Sequence, residues 1–217
     1  MRARLLLAAC GIAGAFAFGS GAFAATVVIS DNFGSTGAEG NWPGDGTFTS
    51  IPPPGNVSGE PSVDLVGPGF YDNLAYSGNS VDLDGSTGTG NIPAGELQSV
   101  TSLSTGDYTV KFLLAGNMRN SPDQTVAVSI GGETIDVTPT SNAQGYTPYE
   151  LIFTNVSGPV EFTDLGPSNQ QGDLLDNVSV TTGVPEPASW AMLLMGMAAV
   201  GAGLRLRREP TRAIARS

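Results

Sequence analysis

The chain of 217 residues has no histidine and one cysteine, Cys10. Between residues 25 and 184 it has neither, which excludes disulfides, thiolate nucleophiles, Cys/His zinc sites and histidine-based triads from within that segment. Positive charge is almost as scarce. Lys111 and Arg119 are the only basic residues there, against 18 Asp and Glu, so the segment carries −16 where the whole chain carries −11. Such a surface repels phosphate backbones, which removes nucleic acid as a partner, and it is poorly matched to an anionic bilayer. It suits divalent cations, neutral sugars, or simple solubility in a crowded extracellular space. A capped helical period is also missing from 25–184.

What is present is β pattern. Short alternating or apolar runs at 26–30, 62–66, 80–83, 97–103, 108–115, 125–130, 134–137, 149–153, 160–162 and 177–181 are separated by Gly, Pro, Asn, Asp and Ser clusters. In "DYTVKFLLAG", Tyr108, Val110, Phe112 and Leu114 point one way, with Thr109 and Lys111 the other. In "TVAVSI", Val126, Val128 and Ile130 share a face, and Gly131-Gly132 joins this run to "ETIDV" as a hairpin. The Gly/Pro-rich segment 34–61 reads as a long irregular connection around 47–51. About ten strands in one acidic domain predict an all-β fold, an antiparallel jelly-roll β-sandwich spanning 25–183.

The two ends differ from this middle. Residues 1–24 begin with Arg2 and Arg4, continue through Leu5, Leu6, Leu7, Ala8 and Ala9, and end in Ala22-Phe23-Ala24. A basic start, an apolar run and an A-x-A site predict a cleaved secretory signal peptide. Cys10 lies in "LAAC", which looks like a lipoprotein box, but the apolar run continues past it, so Cys10 is expected to be discarded with the signal. At the other end, "VPEPASWAMLLMGMAAVGAGLRLRRE" (184–209) contains no charge from Trp190 to Leu204. Extended to 188–206, it gives 19 residues, a helix of about 28 Å at 1.5 Å per residue, close to a bilayer core of about 30 Å. A single C-terminal transmembrane helix is therefore expected, with Trp190 at one interface and Arg205, Arg207 and Arg208 at the cytoplasmic one. Residues 210–217 would be a short cytoplasmic tail, and the domain would lie on the exported side.

Several residues carry candidate chemistry. Asp82 and Asp84 in "VDLDGSTGTG" start like a cation loop, but Ser86 and Pro93 occupy the third and last ligand positions. They are read instead as outward carboxylates on a strand whose Val81 and Leu83 face in. Aromatic rings are the usual platform for sugars, because the CH face of a pyranose packs on a π-system. Trp42, Phe70, Tyr71, Tyr76, Tyr146 and Tyr149 lie in or beside loops. Trp42, flanked by Gly and Pro in "EGNWPGDG", and Tyr146 are the candidate ligand-binding residues, although core packing is the favoured reading of Trp42. Sequons at Asn56, Asn155 and Asn177 carry meaning only in a eukaryotic secretory route. Paired carboxylates can hydrolyse glycosides without histidine, yet no spacing among the 18 acids singles out a pair, and no catalytic residue is expected.

Two resemblances add to this reading. "SVDLVGPGFYDNLAYSGNSVDLDGSTGTG", "LQSVTSLSTGDYTVKFLLAGNMR" and "LLDNVSV" resemble the galactose-binding-like jelly rolls of secreted bacterial proteins. That resemblance implies possible glycan binding and a structural calcium between the first strand and the start of the last, here Asp31 and Asp176; Gly34 stands where the family often has an acid. Pro185, Glu186, Pro187, Trp190, Ala191, Arg205, Arg207 and Arg208 resemble, in order and position, the PEP-CTERM sorting signal. This second resemblance implies a Gram-negative host that makes exopolysaccharide, processing by the membrane-embedded peptidase exosortase, and release or attachment at the cell surface. The expected function is that of a non-enzymatic, surface-sorted protein of the extracellular polysaccharide matrix, with glycan binding and a purely structural or adhesive role as its two forms and a glycoside-active enzyme as the remaining alternative.

Overall fold

Alternation of apolar and polar residues lays down the strands, and tight turns end them. Gly131 sits at φ +62° between β7 (Val126–Ile130) and β8 (Glu133–Val137), whose five residues pair antiparallel from Val126↔Val137 to Ile130↔Glu133. The computed structural model describes residues 25–52, 62–71, 78–86, 95–116, 124–139, 145–167, 169–183 and 195–198. Residues 24–184 form one compact unit. Its other strands are β1 (Val27–Asp31), β2 (Phe48–Ile51), β3 (Asp64–Val66), β4 (Ser80–Asp82), β5 (Glu96–Ser99), β6 (Leu103–Ala115), β9 (Thr147–Gly158), β10 (Val160–Asp164) and β11 (Leu174–Thr182).

All pairings between strands are antiparallel, and they build two sheets. The first has the order β3-β4-β11-β6-β9, with β1 also on β11; the second runs β2-β5-β10-β7-β8. This is the expected all-β sandwich of antiparallel sheets. The inward rows predicted from alternation are buried: Tyr108, Val110, Phe112 and Leu114 from the first sheet meet Val126, Val128, Ile130 and Phe162 from the second. An aromatic chain ties the layers together. Trp42 meets Phe33 edge-on at 5.9 Å, Phe33 meets Phe48 at 5.8 Å, Phe48 meets Phe162 at 6.3 Å, and Phe162 meets Phe112 at 5.3 Å. Such pairs add to the burial of the rings themselves.

Two expectations change. Within the segment read as an irregular connection, Phe48–Ile51 is a strand, because Phe48 and Ser50 pack inward while the chain pairs with β5. Asp82 and Asp84 do face away from Val81 and Leu83, but both are buried rather than outward. No helix among the described residues is long and apolar enough to cross a membrane. Of the expected span 188–206, only 195–198 is described, and it is helical; the signal peptide and tail lie outside the described residues.

Candidate functional site on the outer face of the six-stranded sheet

The first sheet has a second, outward side. Because Phe112 and Leu114 face the core, Lys111, Leu113 and Ala115 of β6 face out. Opposite them in register, β9 brings Glu150 to Lys111 and Pro148 to Leu113. β11 adds Asp176 opposite Leu113 and then bulges between Asp176 and Ser179. Asn177, at φ +51°, occupies the bulge and is exposed, its backbone N–H donating to Asp176 Oδ1 at 2.6 Å. A bulge re-aims a side chain that regular pleating would bury. The result is a shallow groove of about 480 Å³ lined by Lys111, Phe112, Leu113, Pro148, Tyr149, Glu150 and Asn177. Lys111 Nζ and Glu150 Oε2 form an ion pair of 3.1 Å with both side chains 56% exposed. Burial raises the Asp176 carboxyl above the ordinary carboxylate range, against the backbone bond from Asn177.

Beside the groove a small apolar cluster of Val66, Ala115 and Leu174 is covered by Phe70 and Tyr146. Tyr146 is thus half-buried, and its hydroxyl contacts Ser80 Oγ. Tyr71 packs edge-on against Phe70 at 4.5 Å and remains 50% exposed. Trp42, the other candidate platform, is fully buried in the aromatic chain, as the core reading favoured for it expects, with its indole N–H donating to Thr36 Oγ1 at 3.2 Å. It has no face to offer a ligand, because the loop before β3 folds back: Trp42 N donates to Val63 O and Glu39 bridges Leu65.

Asp31 and Asp176 do not come together as a calcium pair would. Asp31 lies in register with Val178, a core residue, whereas Asp176 follows the core residue Leu175 and faces out. Directly opposed residues of an antiparallel pair share a face, so the two carboxylates sit on opposite sides of one sheet, and they do not fit a single ion. Asp31 instead accepts the Phe33 N–H at 2.7 Å in an Asx-turn, and burial, with Asp45 beside it, raises its pKa. Asn32 accepts the Gly34 N–H at 3.1 Å in the same way. No group of three or more Asp, Glu, Cys or His among the described residues is arranged to hold a metal ion.

The buried acids that sequence reasoning missed are internal acceptors. Asp64 takes the N–H groups of Asn41 (2.8 Å) and Ser86 (3.1 Å), and Asp84 Oδ2 takes those of Asn169 (2.7 Å) and Gln171 (3.3 Å). Asp164 Oδ1 takes the Gly166 N–H at 2.6 Å; burial, with the Asp84 charge nearby, pushes its carboxyl up to about 7. These carboxylates staple loops to the sheet ends. Asp64 and Asp164 left no sequence signal, whereas Asp84 lies beside Gly85, and a side chain at Gly172 would meet the Asp84 nitrogen at 2.1 Å.

Comparison with known proteins separates the domain from the C-terminal segment. Residues 183–208 match the PEP-CTERM protein-sorting motif. This segment is a sorting signal. The PEP-CTERM motif covers Pro185, Glu186, Pro187, Trp190, Ala191, Arg205, Arg207 and Arg208, all outside the described residues, and it marks an exported protein processed by exosortase. No curated protein matches the chain. Among solved structures, the K3 adhesin domain of Lys-gingipain from Porphyromonas gingivalis is similar, with a TM-score of 0.53 and 16% identity over 74% of this chain and 100% of that one. The K1 adhesin domain of the same protein gives 0.51 and 16% over 71% and 97%. A family 35 carbohydrate-binding module from Clostridium thermocellum is a more distant likeness, at 0.36 and 15% over 55% and 87%. At these identities the likeness to the adhesin domains is one of fold.

Proposed function

We propose that this chain is a non-enzymatic, surface-sorted protein of the extracellular polysaccharide matrix, and that it binds glycan on the outer face of its six-stranded sheet. The PEP-CTERM match carries the destination. In this reading an N-terminal signal peptide exports the chain, a C-terminal helix holds it in the membrane with the domain in the periplasm, and exosortase processing delivers it to the cell surface. Glycan binding is supported by the chemistry of the outer face: the half-exposed Tyr71 ring held against Phe70, with Tyr146 beside a groove that mixes apolar floor and polar rim. The adhesin domains that share the fold make an attachment role reasonable.

The buried acids favour a binding module over a hydrolase. Asp64, Asp82, Asp84, Asp164 and Asp173 are enclosed, and the groove's own carboxylate, Glu150, is tied to Lys111. A glycosidase needs two carboxyl groups flanking an accessible bond. A structural calcium between Asp31 and Asp176 is not part of this reading, since they face opposite sides of the sheet. The test is retention of the full chain on polysaccharides from an exopolysaccharide-forming bacterium. Tyr71→Ala and Tyr146→Ala are expected to weaken retention about tenfold or more, which is about 1.4 kcal/mol. Absence of retention on every glycan leaves only the structural or adhesive matrix role.

A further inference from the structure

The groove on the outer face also specifies what kind of glycan fits it, an inference that rests on the glycan-binding reading above. Lys111 is the only basic residue among the described ones, and it lies at the groove. Its charge is already matched by Glu150 at 3.1 Å. The groove therefore presents an ammonium and a carboxylate side by side with no net positive charge, on a domain segment of net charge −16. A polyanion meets repulsion there, and a polycation finds Glu150 already compensated.

The remaining chemistry suits hydroxyls. An exposed ion pair offers donors and acceptors together, so vicinal hydroxyls of one sugar ring can bond to both, and such charge-assisted bonds are the stronger kind. Asn177 supplies a carboxamide, with two donors and an acceptor, re-aimed outward by the bulge in β11. Leu113 and Pro148, opposite each other in register, form an apolar patch between these polar groups, matched to the CH face of a pyranose. Pro148 lacks a backbone N–H, and it sits on β9, an edge of the sheet, where proline is tolerated. The volume of about 480 Å³ falls within the range of small-ligand sites and holds a short segment of chain.

We infer that the groove formed by Lys111, Leu113, Pro148, Glu150 and Asn177 is a subsite for an uncharged oligosaccharide segment, read through its vicinal hydroxyls. The test is calorimetric titration of the full chain with neutral gluco-, manno- and galacto-oligosaccharides, and with an oligogalacturonate. At least one neutral oligosaccharide is expected to bind and the uronate not to bind. The affinity should change by less than about twofold between 0.05 and 0.5 M salt, because no net charge is matched. Asn177→Gly, and the double variant Lys111→Ala with Glu150→Ala, each lower that affinity about tenfold or more while the melting temperature shifts little, since glycine keeps the left-handed backbone at 177 and the Lys111 and Glu150 side chains are exposed.

Preference for the uronate, or binding that falls steeply with salt, overturns the inference. Neutral binding that survives both sets of substitutions but is lost in Tyr71→Ala also overturns it, while leaving the broader glycan reading intact. No heat with any saccharide, together with no retention on whole polysaccharide, brings down both readings at once.

Discussion

Trp42 shows how far a single residue can be read before it is folded. Its Gly and Pro neighbours describe an exposable loop tip, yet the ring is fully buried against Phe33. Flanking residues set the loop's freedom, but only tertiary contact decides which side the loop turns. Trp42→Ala is expected to cost about 3–5 kcal/mol, read as a lower urea midpoint, with glycan retention per folded molecule unchanged. A loss of retention without a loss of stability would return Trp42 to the ligand site. Glu96 supplies a pH-dependent counterpart. Burial first, and the Glu161 charge second, raise its pKa above the ordinary 4.5. The native state then holds a proton that the unfolded state has released, so this group's contribution to stability is present below the ordinary pKa and is lost as pH rises through the raised one. Glu96→Gln should leave the melting temperature near pH 4 unchanged and raise it at pH 7. Equal melting temperatures for both proteins at both pH values would contradict that assignment.

Among the elements, hairpins were the most legible, because a two-residue Gly turn fixes its own register. Gly131-Gly132 predicted the β7–β8 hairpin, and the pairing Val128↔Ile135 follows from it. The two glycines are nevertheless unequal. Gly131 is at φ +62°, and a side chain there would meet the Ser157 carbonyl oxygen at 2.4 Å, whereas a side chain at Gly132 meets nothing within 4 Å. Gly131→Ala should therefore cost more than about 2 kcal/mol, while Gly132→Ala stays within about 1 kcal/mol, both measured by equilibrium denaturation. Equal effects would show that the turn relaxes. Strand ends were less legible: β6 and β9 run for 13 and 12 residues, well beyond their alternating cores. The extra length comes from β6 and β9 pairing with each other, from Leu103↔Gly158 to Leu114↔Thr147, and such long-range register leaves no local trace. The groove depends on the same register. Alternation alone put Lys111 on the outer face, but nothing short of pairing could place Glu150 against it or Pro148 beside Leu113.

For the molecule as a whole, the sorting signal and the folded domain occupy separate parts of the chain. The strands lie within the unit of residues 24–184, while the PEP-CTERM match covers 183–208. Mass spectrometry of the mature protein is expected to show a C-terminus near Pro185-Glu186-Pro187 in cells with exosortase, and an intact tail in cells without it. An intact tail in both would overturn processing at this signal.

The sequence by itself determined the sorting signal, because a linear address of Pro-Glu-Pro, apolar run and arginines is recognised in order and needs no fold to define it. It determined the β class and the inward rows of β6 and β7 as well, since period-2 alternation is a property of neighbours in the chain. The absence of histidine, and of cysteine from the domain, excluded whole classes of chemistry in the same way. Only the tertiary structure decided that Trp42 is core, that Asp31 and Asp176 face opposite sides of one sheet, and that Asp64, Asp84 and Asp164 are buried acceptors. Each of those outcomes depends on which distant strand or loop lies against the residue, and burial, register and facing direction arise only when the sheets pair and pack.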